Sequence, residues 1–220
     1  MRFDVITLFP ETIKAYCSES ILGRALKENH IELHTTNLRD FGLGKHLRVD
    51  DVIYGGGVGM LLRPEPIFEA HASIPKLEKN KTILLTPRGQ LFSQPVIRKQ
   101  LTPPNVEQLI FICGRYEGVD ERVMTLVDLP ISLGDYILTG GELGAMVVID
   151  AVSRLVEGVL PKGESVHGFD SFSDEEGNVL EAPQYTRPAE FNGLKVPEVL
   201  TNGNHQEIAK WKEENAKRLN

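Results

Sequence analysis

Two apolar runs, each stopped by a glycine, constrain the fold of this chain more than any other feature. Residues 109–113 stop at Gly114, and residues 129–133 stop at Gly134. Short uninterrupted apolar runs are typical of strands buried on both faces of a parallel sheet. Ligands of open α/β sheets bind beyond the carboxyl ends of such strands. The loops that follow each contain Gly, Tyr and a carboxylate, so the sequence predicts a pocket between them.

Further strands and helices alternate along the chain. The patterns predict strands at 3–9, 31–36 and 82–85, and helices at 10–29, 64–74, 93–101, 121–127 and 142–156. Segment 86–90 is predicted to be a third loop at a strand end, and 38–60 a polar, glycine-rich loop. This alternation predicts an α/β fold with a mostly parallel sheet.

The composition changes after residue 158. We expect an α/β domain at 1–160, a flexible linker at 161–184 rich in Gly, Pro, Ser and acids, and a small helical subdomain at 185–220. Asn204 with Glu207 resembles a capping box for the last helix. Ile208, Trp211 and Leu219 are predicted to share one face of that helix.

The charge is uneven along the chain. The net charge is −7, which by itself argues against a nucleic-acid partner. Residues 157–181 carry seven acidic side chains against one lysine, so the remainder is close to neutral. A local basic face therefore remains compatible with the composition.

Composition also points to the cellular compartment. The sequence has no apolar run of 18 residues, so no membrane span is expected. The N-terminus lacks the features of a signal peptide, and Cys17 and Cys113 show neither a disulfide framework nor metal-ligand spacing. These features favour a cytoplasmic protein.

Several motifs allow two interpretations. The glycine-rich residues 54–59 fit either a backbone cradle for a ligand or a flexible surface turn, and they match neither a Walker loop nor the dinucleotide fingerprint. His30 and His34 flank a strand start, which disfavours a metal site. Glu117 and Asp120 could be paired carboxylates of a sugar site. Their neighbours Arg115 and Arg122 favour a structural ion-pair network instead.

Two single residues are candidates for catalysis. Arg154 comes late in a strongly apolar helix, where a cation commonly complements the helix dipole. Asp170 lies between aromatic residues in a loop and could equally be an ordinary solvated carboxylate. The residues alone leave both roles open.

The chain resembles the bacterial tRNA (guanine-37-N1)-methyltransferases of the SPOUT class over nearly its whole length. The matching motifs are Leu8-Phe9-Pro10-Glu11, Arg39-Asp40-Phe41, Val49-Asp50-Asp51, Tyr54-Gly55-Gly56-Gly57, Gly114-Arg115-Tyr116-Glu117-Gly118-Val119-Asp120-Glu121-Arg122, Gly134-Asp135-Tyr136, Gly140-Gly141-Glu142, Val152-Ser153-Arg154, Asp170-Ser171-Phe172, Tyr185-Thr186-Arg187-Pro188 and Gly203-Asn204-His205.

This resemblance implies a deep trefoil knot, a topology that is nearly absent elsewhere. The three strand-end loops would form the knot and bind S-adenosylmethionine. The implied cofactor contacts are Thr86, Pro87, Gly89, Gly114, Tyr116, Glu117, Gly118, Leu133, Gly134, Asp135, Tyr136, Ile137, Leu138, Gly140 and Gly141. The resemblance also implies a homodimer with the site at the subunit interface, and tRNA bound through its anticodon stem-loop.

The implied reaction is methylation of guanine N1, which requires that the N1 proton leave. Asp170 matches the family's general base, and Arg154 matches its partner for O6. A Mg²⁺ requirement is left open because no ligand spacing shows it. Two alternatives remain from other classes: a non-enzymatic RNA-binding protein on the same scaffold, and an RNA methyltransferase acting at another site.

Overall fold

The computed structural model describes residues 1–160, 171–172 and 179–219. The chain divides into two compact units, Met1–Lys162 and Gly163–Asn220. The helices and strands of the first unit are β1 (Arg2–Thr7), α1 (Pro10–Cys17), α2 (Ser20–Lys27), β2 (Glu32–Asn37), β3 (Asp50–Val52), β4 (Met60–Leu62), α3 (Pro64–Ser73), β5 (Asn80–Leu91), α4 (Gln94–Val96), β6 (Gln108–Ile112), β7 (Leu129–Ser132) and α5 (Glu142–Ser153).

Five of these strands form one sheet in the order β2-β1-β6-β5-β7. Each neighbouring pair is parallel. The prediction of a mostly parallel α/β sheet is therefore confirmed. Because β6, β5 and β7 are adjacent and parallel, their carboxyl ends lie side by side at one edge of the sheet.

Alternate residues of the strands bury opposite faces of the sheet, as the two-residue period of a strand requires. On one face Phe3 and Phe111 pack with residues of α1, α2 and α5. On the other face Ile6 and Ile110 pack with Ile67 of α3. Each fully buried large apolar side chain contributes roughly 1.5–3 kcal/mol, so helices on both faces hold the strands and fix the edge where they end.

The prediction of one helix at 10–29 was wrong. Glu19, between α1 and α2, has an extended backbone with φ −102° and ψ 157°. The helical hydrogen bonds therefore stop and restart at this residue. The apolar positions continue across the break, and for this reason the sequence pattern did not reveal it.

The predicted loop at 38–60 contains more structure than expected. Leu38–Phe41 forms a 3-10 turn, and β3 pairs antiparallel with β4, with Val52 opposite Met60. The glycine-rich residues 54–59 connect these two strands. Strands of three residues are too short to show a hydrophobic period, so the sequence pattern missed them.

The third loop predicted at a strand end lies within a strand instead. β5 continues to Leu91, and residues 86–89 bulge outward because Leu85 and Gln90 both pair with Ile131 of β7. A bulge leaves its extra residues unpaired in the ladder and available for other contacts. Segment 86–89 therefore still leaves the ladder, although the strand resumes at Gln90.

The second unit contains the short strands β8 (Val179–Leu180), β9 (Glu190–Phe191), β10 (Leu194–Lys195) and β11 (Lys217–Arg218), and the helix α6 (His205–Asn215). The side chain of Asn204 caps α6 by accepting hydrogen bonds from the backbone of Gln206 and Glu207. The predicted N-terminus of this helix is therefore confirmed. Leu219 lies beyond its end, so the prediction that Leu219 shares its face was wrong.

In the described part of the chain, no helix combines the length and the apolar character that crossing a membrane requires.

Candidate active site

A cavity of about 400 Å³ lies where β5, β6 and β7 end. This volume is within the range of small-molecule sites. Its walls come from the bulge of β5, the loop after β6, the loop after β7 and the start of α5. The pocket expected beyond two strand ends is therefore present, and the β5 bulge completes it.

Most residues that the resemblance assigned to the cofactor line this cavity. They are Thr86, Pro87, Gly114, Tyr116, Glu117, Gly118, Leu133, Gly134, Tyr136, Ile137, Leu138, Gly140 and Gly141. Gly89 and Asp135 do not. A Cβ on Gly89 would lie 2.4 Å from the Ile131 backbone, so this glycine packs against β7. The side chain of Asp135 is exposed to solvent.

Sequence reasoning missed several residues of the wall, namely Leu85, Arg115, Ile131, Ser132, Thr139 and Gly144. Leu85, Ile131 and Ser132 belong to strands that were recognised, so their position at a carboxyl end was an available signal. Arg115 was instead assigned to an ion-pair network with acidic neighbours in sequence.

That network forms only in part. Arg122 pairs with Asp120 at 2.7 Å, and its guanidinium lowers the pKa of the Asp120 carboxyl. Arg115 pairs with Glu142 at 2.9 Å, so the prediction that its partner was Glu117 or Asp120 was wrong. The true partner lies 27 positions along the chain, beyond the reach of local pattern reasoning.

Backbone hydrogen bonds join the loops around the cavity. Gly141 donates its N–H to the Gly114 carbonyl at 2.9 Å. Glu117 donates to the Met60 carbonyl, and Leu62 donates to the Gly118 carbonyl, each at 3.0 Å. The β4 strand after the glycine-rich segment is thereby attached to the loop that follows β6.

The cavity admits close approach to the backbone. A Cβ on Gly141 would lie 2.8 Å from Cys113 Cα, and a Cβ on Gly140 would lie 2.3 Å from Arg115 Nε. Tyr116 has φ 59°, a left-handed conformation that is uncommon for a tyrosine and frequent at functional sites. Its ring and that of Tyr136 are largely exposed. The wall thus offers backbone polar groups together with apolar and aromatic surface.

Cys113, at the base of the loop after β6, is buried. Burial raises the pKa of its thiol well above the usual value, and the nearby Glu142 carboxylate raises it further. A thiol remains a weak nucleophile when it is protonated. Cys113 therefore acts as a small apolar side chain here.

Arg154 lies outside this cavity. It is the C-cap residue of α5, and it lines a second cavity of about 340 Å³ with Tyr16, Asp150 and Ser153. Tyr16 Oη donates to Asp150 Oδ2 at 2.7 Å, which raises the pKa of Tyr16 to about 12. With a rise of 1.5 Å per helical residue, Arg154 is about 15 Å along α5 from Gly144 of the first cavity.

The predicted base, Asp170, lies outside the described residues, as do the other residues of 161–170 and 173–178. Within residues 1–160, 171–172 and 179–219, no three His, Cys, Asp or Glu side chains group in a way that could hold a metal ion.

Comparison with known proteins identifies the family. The family described as tRNA (Guanine-1)-methyltransferase TrmD matches residues 1–219. A tRNA (guanine-N(1)-)-methyltransferase of Nostoc punctiforme is 52% identical over 97% of this chain and 87% of that protein. The corresponding protein of Sulfurihydrogenibium is also 52% identical, over 96% of this chain and 81% of that protein.

A solved structure supports the same assignment. The tRNA (m1G37) methyltransferase of Aquifex aeolicus superposes with a TM-score of 0.76 and 42% sequence identity. The match covers 96% of this chain and 87% of that one. Sequence and structure therefore agree along almost the entire chain, which belongs to the tRNA (guanine-1)-methyltransferase family.

Proposed function

We propose that this protein transfers a methyl group from S-adenosylmethionine to N1 of guanine 37 in tRNA, next to the anticodon. The observation that carries the proposal is the cavity at the ends of β5, β6 and β7, which collects nearly all of the cofactor residues that the resemblance named. The family match supports the reaction, and the Aquifex aeolicus relative is described as acting at this position.

The cavity fits the methyl donor. Tyr136, Ile137 and Leu138 offer apolar surface that would hold a purine ring, and Gly140 and Gly141 would let the backbone approach a ligand closely. S-adenosylmethionine supplies a methyl group already activated by a sulfonium. The residues of the cavity then need only hold the donor in line with its acceptor.

We further propose that the loops around the cavity form a trefoil knot. Two observations support this topology. β6 lies between β1 and β5, so the chain crosses over within the sheet. The loop after β7 is also joined to the loop after β6, through Gly141 and Gly114.

The chemistry at guanine N1 assigns roles to two residues. N1 carries a hydrogen, so a methyl group can be transferred only as that proton leaves. We assign the proton to the carboxylate of Asp170, acting as general base. Loss of the proton places negative charge on O6, and we assign its stabilisation to the guanidinium of Arg154.

The position of Arg154 supports a shared site in a homodimer. Because Arg154 is about 15 Å along α5 from the cavity, we assign it to a guanine that faces a donor bound in the partner subunit. Exposed apolar side chains cover the same side of the unit, on α1, α2 and α5: Tyr16, Ile21, Leu143 and Val147. Such a patch is typical of an interface between subunits.

The family assignment favours an enzyme over the alternative of a non-enzymatic RNA-binding protein. A purely binding scaffold would have no need for a 400 Å³ cavity lined by backbone groups. A methyltransferase acting on a 2′-hydroxyl of RNA would not need a carboxylate beside a ring nitrogen. Identification of the modified atom separates these possibilities.

The decisive experiment incubates the purified protein with S-adenosylmethionine and a tRNA transcript that has guanine at position 37. Mass spectrometry should locate one methyl group on N1 of that guanine. Asp170→Asn and Arg154→Ala should bind the donor with unchanged affinity. Transfer should slow about 10²–10⁴-fold without the general base and about 10²–10³-fold without the group that stabilises charge on O6. Methylation at another nucleotide would refute the proposed specificity.

A further inference from the structure

Glu142 is a buried carboxylate in the first turn of α5, and it takes no direct part in the proposed methyl transfer. Its side chain is 2% exposed. Oε1 accepts a hydrogen bond from Thr7 Oγ1 at 2.7 Å, and Thr7 Oγ1 in turn accepts one from the Phe9 backbone at 2.9 Å. Oε2 lies 2.9 Å from the Arg115 guanidinium. Glu142 therefore connects the end of β1 to the loop after β6.

Arg115 extends this connection to the other wall of the cavity. Its Nη1 donates to the Thr139 carbonyl at 3.3 Å, and its backbone bridges to both Gly118 and Gly140. The guanidinium carbon lies 4.5 Å from the centre of the Phe9 ring, within the range of a cation–π contact. One side chain thus touches both loops that face the ligand.

We propose that Glu142 is a positioning residue for the methyl donor. Its carboxylate orients the Arg115 guanidinium so that Arg115 can donate to the Thr139 carbonyl. This contact links loops 114–118 and 139–141 to each other. Glu142 itself does not line the cavity, so it acts through Arg115. The proposal rests on the proposed function, because it takes the cavity to be the donor site.

The contact between Arg115 and Thr139 depends on the ion pair between Arg115 and Glu142. A buried ion pair that loses one partner leaves the other charge desolvated and uncompensated. Arg115 Nε and Glu142 Oε2 are both buried without a hydrogen-bond partner, so the two charges compensate each other only through their ion-pair contact at 2.9 Å. Without that carboxylate, Arg115 is expected to turn towards solvent, and the contact with Thr139 is lost with it.

The consequence should appear in donor binding rather than in the chemical step. Without this link the two loops become ordered only when the donor binds. The free energy needed to order them reduces the affinity for the donor. Once the donor is bound at saturation, Asp170 and Arg154 act as before. A change in KM for the donor at nearly constant kcat is the signature of this role.

The test compares Glu142→Gln with the wild type. Calorimetry with S-adenosylmethionine should show a Kd raised about ten-fold or more, as small displacements of positioning groups commonly produce. Steady-state methylation should show a similar rise in KM for the donor, with kcat changed less than about three-fold. An unchanged Kd, or a loss confined to kcat, would overturn the proposal.

Asp4→Asn is the matched control. Asp4 is also a buried carboxylate, paired with Arg2 at 2.7 Å, and it lies on β1 nearer the end away from the cavity. The two variants should lose comparable thermal stability, while only Glu142→Gln weakens donor binding. If Asp4→Asn raised the Kd equally, the effect would be general destabilisation and the proposal would be wrong.

A double variant, Glu142→Gln with Arg115→Met, removes both charges. Its stability should partly recover, because no uncompensated charge remains buried. Donor affinity should stay low, because the variant still lacks the hydrogen bond from Arg115 that links the two loops. Affinity that recovered together with stability would contradict the proposal.

If Glu142→Gln does not fold, Thr7→Val tests the same positioning role of Glu142. It removes the hydrogen bond from Thr7 to Glu142 and the one from the Phe9 backbone to Thr7, keeps the shape of the side chain and leaves both charges in place. Its donor Kd should rise in the same direction by a smaller factor, and an unchanged Kd would count against the proposal. Failure of the proposed function itself would differ, since the wild type would then bind no donor.

Discussion

The backbone N–H of Gly141 donates a hydrogen bond to the Gly114 carbonyl at 2.9 Å, and this bond joins two loops that line the cavity. Gly141 precedes α5, and Gly114 follows β6. A Cβ on Gly141 would lie 2.8 Å from Cys113 Cα, a backbone atom that cannot turn aside. The distance between the two loops is therefore set by the absence of a side chain at position 141.

Gly141→Ala should separate the two loops. Overpacking of this kind costs about 1–3 kcal/mol, so the free energy of unfolding should fall by that amount. The Kd for S-adenosylmethionine should rise as well, because the wall that the donor contacts has moved. Chemical denaturation and calorimetry measure the two effects.

Gly114→Ala provides the contrast on the other side of the same hydrogen bond. A Cβ there would lie 3.6 Å from Val119 Cγ1, an ordinary contact. Its stability should therefore stay close to that of the wild type. Equal losses in the two variants would show that the close approach at Gly141 is not the cause.

Mixing two inactive variants tests whether Arg154 and Asp170 reach one site from different subunits. Arg154→Ala and Asp170→Asn should each be inactive as homodimers. If each site takes these residues from different subunits, a heterodimer has one intact site, so random reassortment should restore about a quarter of the wild-type rate. If both residues came from one subunit, mixing would restore nothing.

The apolar side of α5 predicts where the dimer forms. Val147 is 46% exposed, and it lies one turn from the exposed Leu143. Val147→Glu would place a charge in the proposed interface, and burial of an unpaired charge strongly disfavours association. Analytical ultracentrifugation should show a monomer with lost activity. Leu77→Glu, at an apolar residue of similar exposure elsewhere, should remain a dimer.

His71 should make folding sensitive to mild acid. Burial lowers the pKa of its imidazole, and Lys76 lowers it further against the opposing effect of Asp128. The folded protein therefore binds this proton less well than the unfolded chain. The stability that this difference gives is present above the unfolded pKa of about 6.5 and falls as the pH decreases below it.

Denaturation at pH 7.5 and 5.5 measures this loss. The wild type should lose more unfolding free energy between these two values than His71→Gln, in which an amide can still bond to Thr82 Oγ1, the present partner of the ring at 2.9 Å. Equal pH dependence in the two proteins would show that His71 does not cause it.

Local patterns predicted much of the fold and of the site. The apolar runs at 109–113 and 129–133 became β6 and β7, and the glycines that stop them became cavity walls. Those features could be predicted because a buried strand and its end are encoded within a few neighbouring residues. The motifs from Gly114 to Arg122 and from Gly134 to Glu142 also carried the family resemblance, which the comparisons confirmed.

Other features depend on residues that are distant in sequence. Nothing near Arg115 indicates Glu142 as its partner, and the bulge of β5 depends on Ile131 accepting two residues of the neighbouring strand. The break between α1 and α2 was also hidden, because the apolar pattern of the two helices continues across it. Long-range packing decided each of these cases.

The sequence by itself determined the buried strands, their parallel arrangement and the family, because strand burial, glycine stops and motif order are local properties of the chain. Only the tertiary structure decided which side chains meet. It placed Arg115 against Glu142, and it separated Arg154 from the cavity beyond β6 and β7 by most of the length of α5. The reason is physical: charges and cavities are formed by atoms that are close in space, and packing of the sheet and helices alone brings those atoms together.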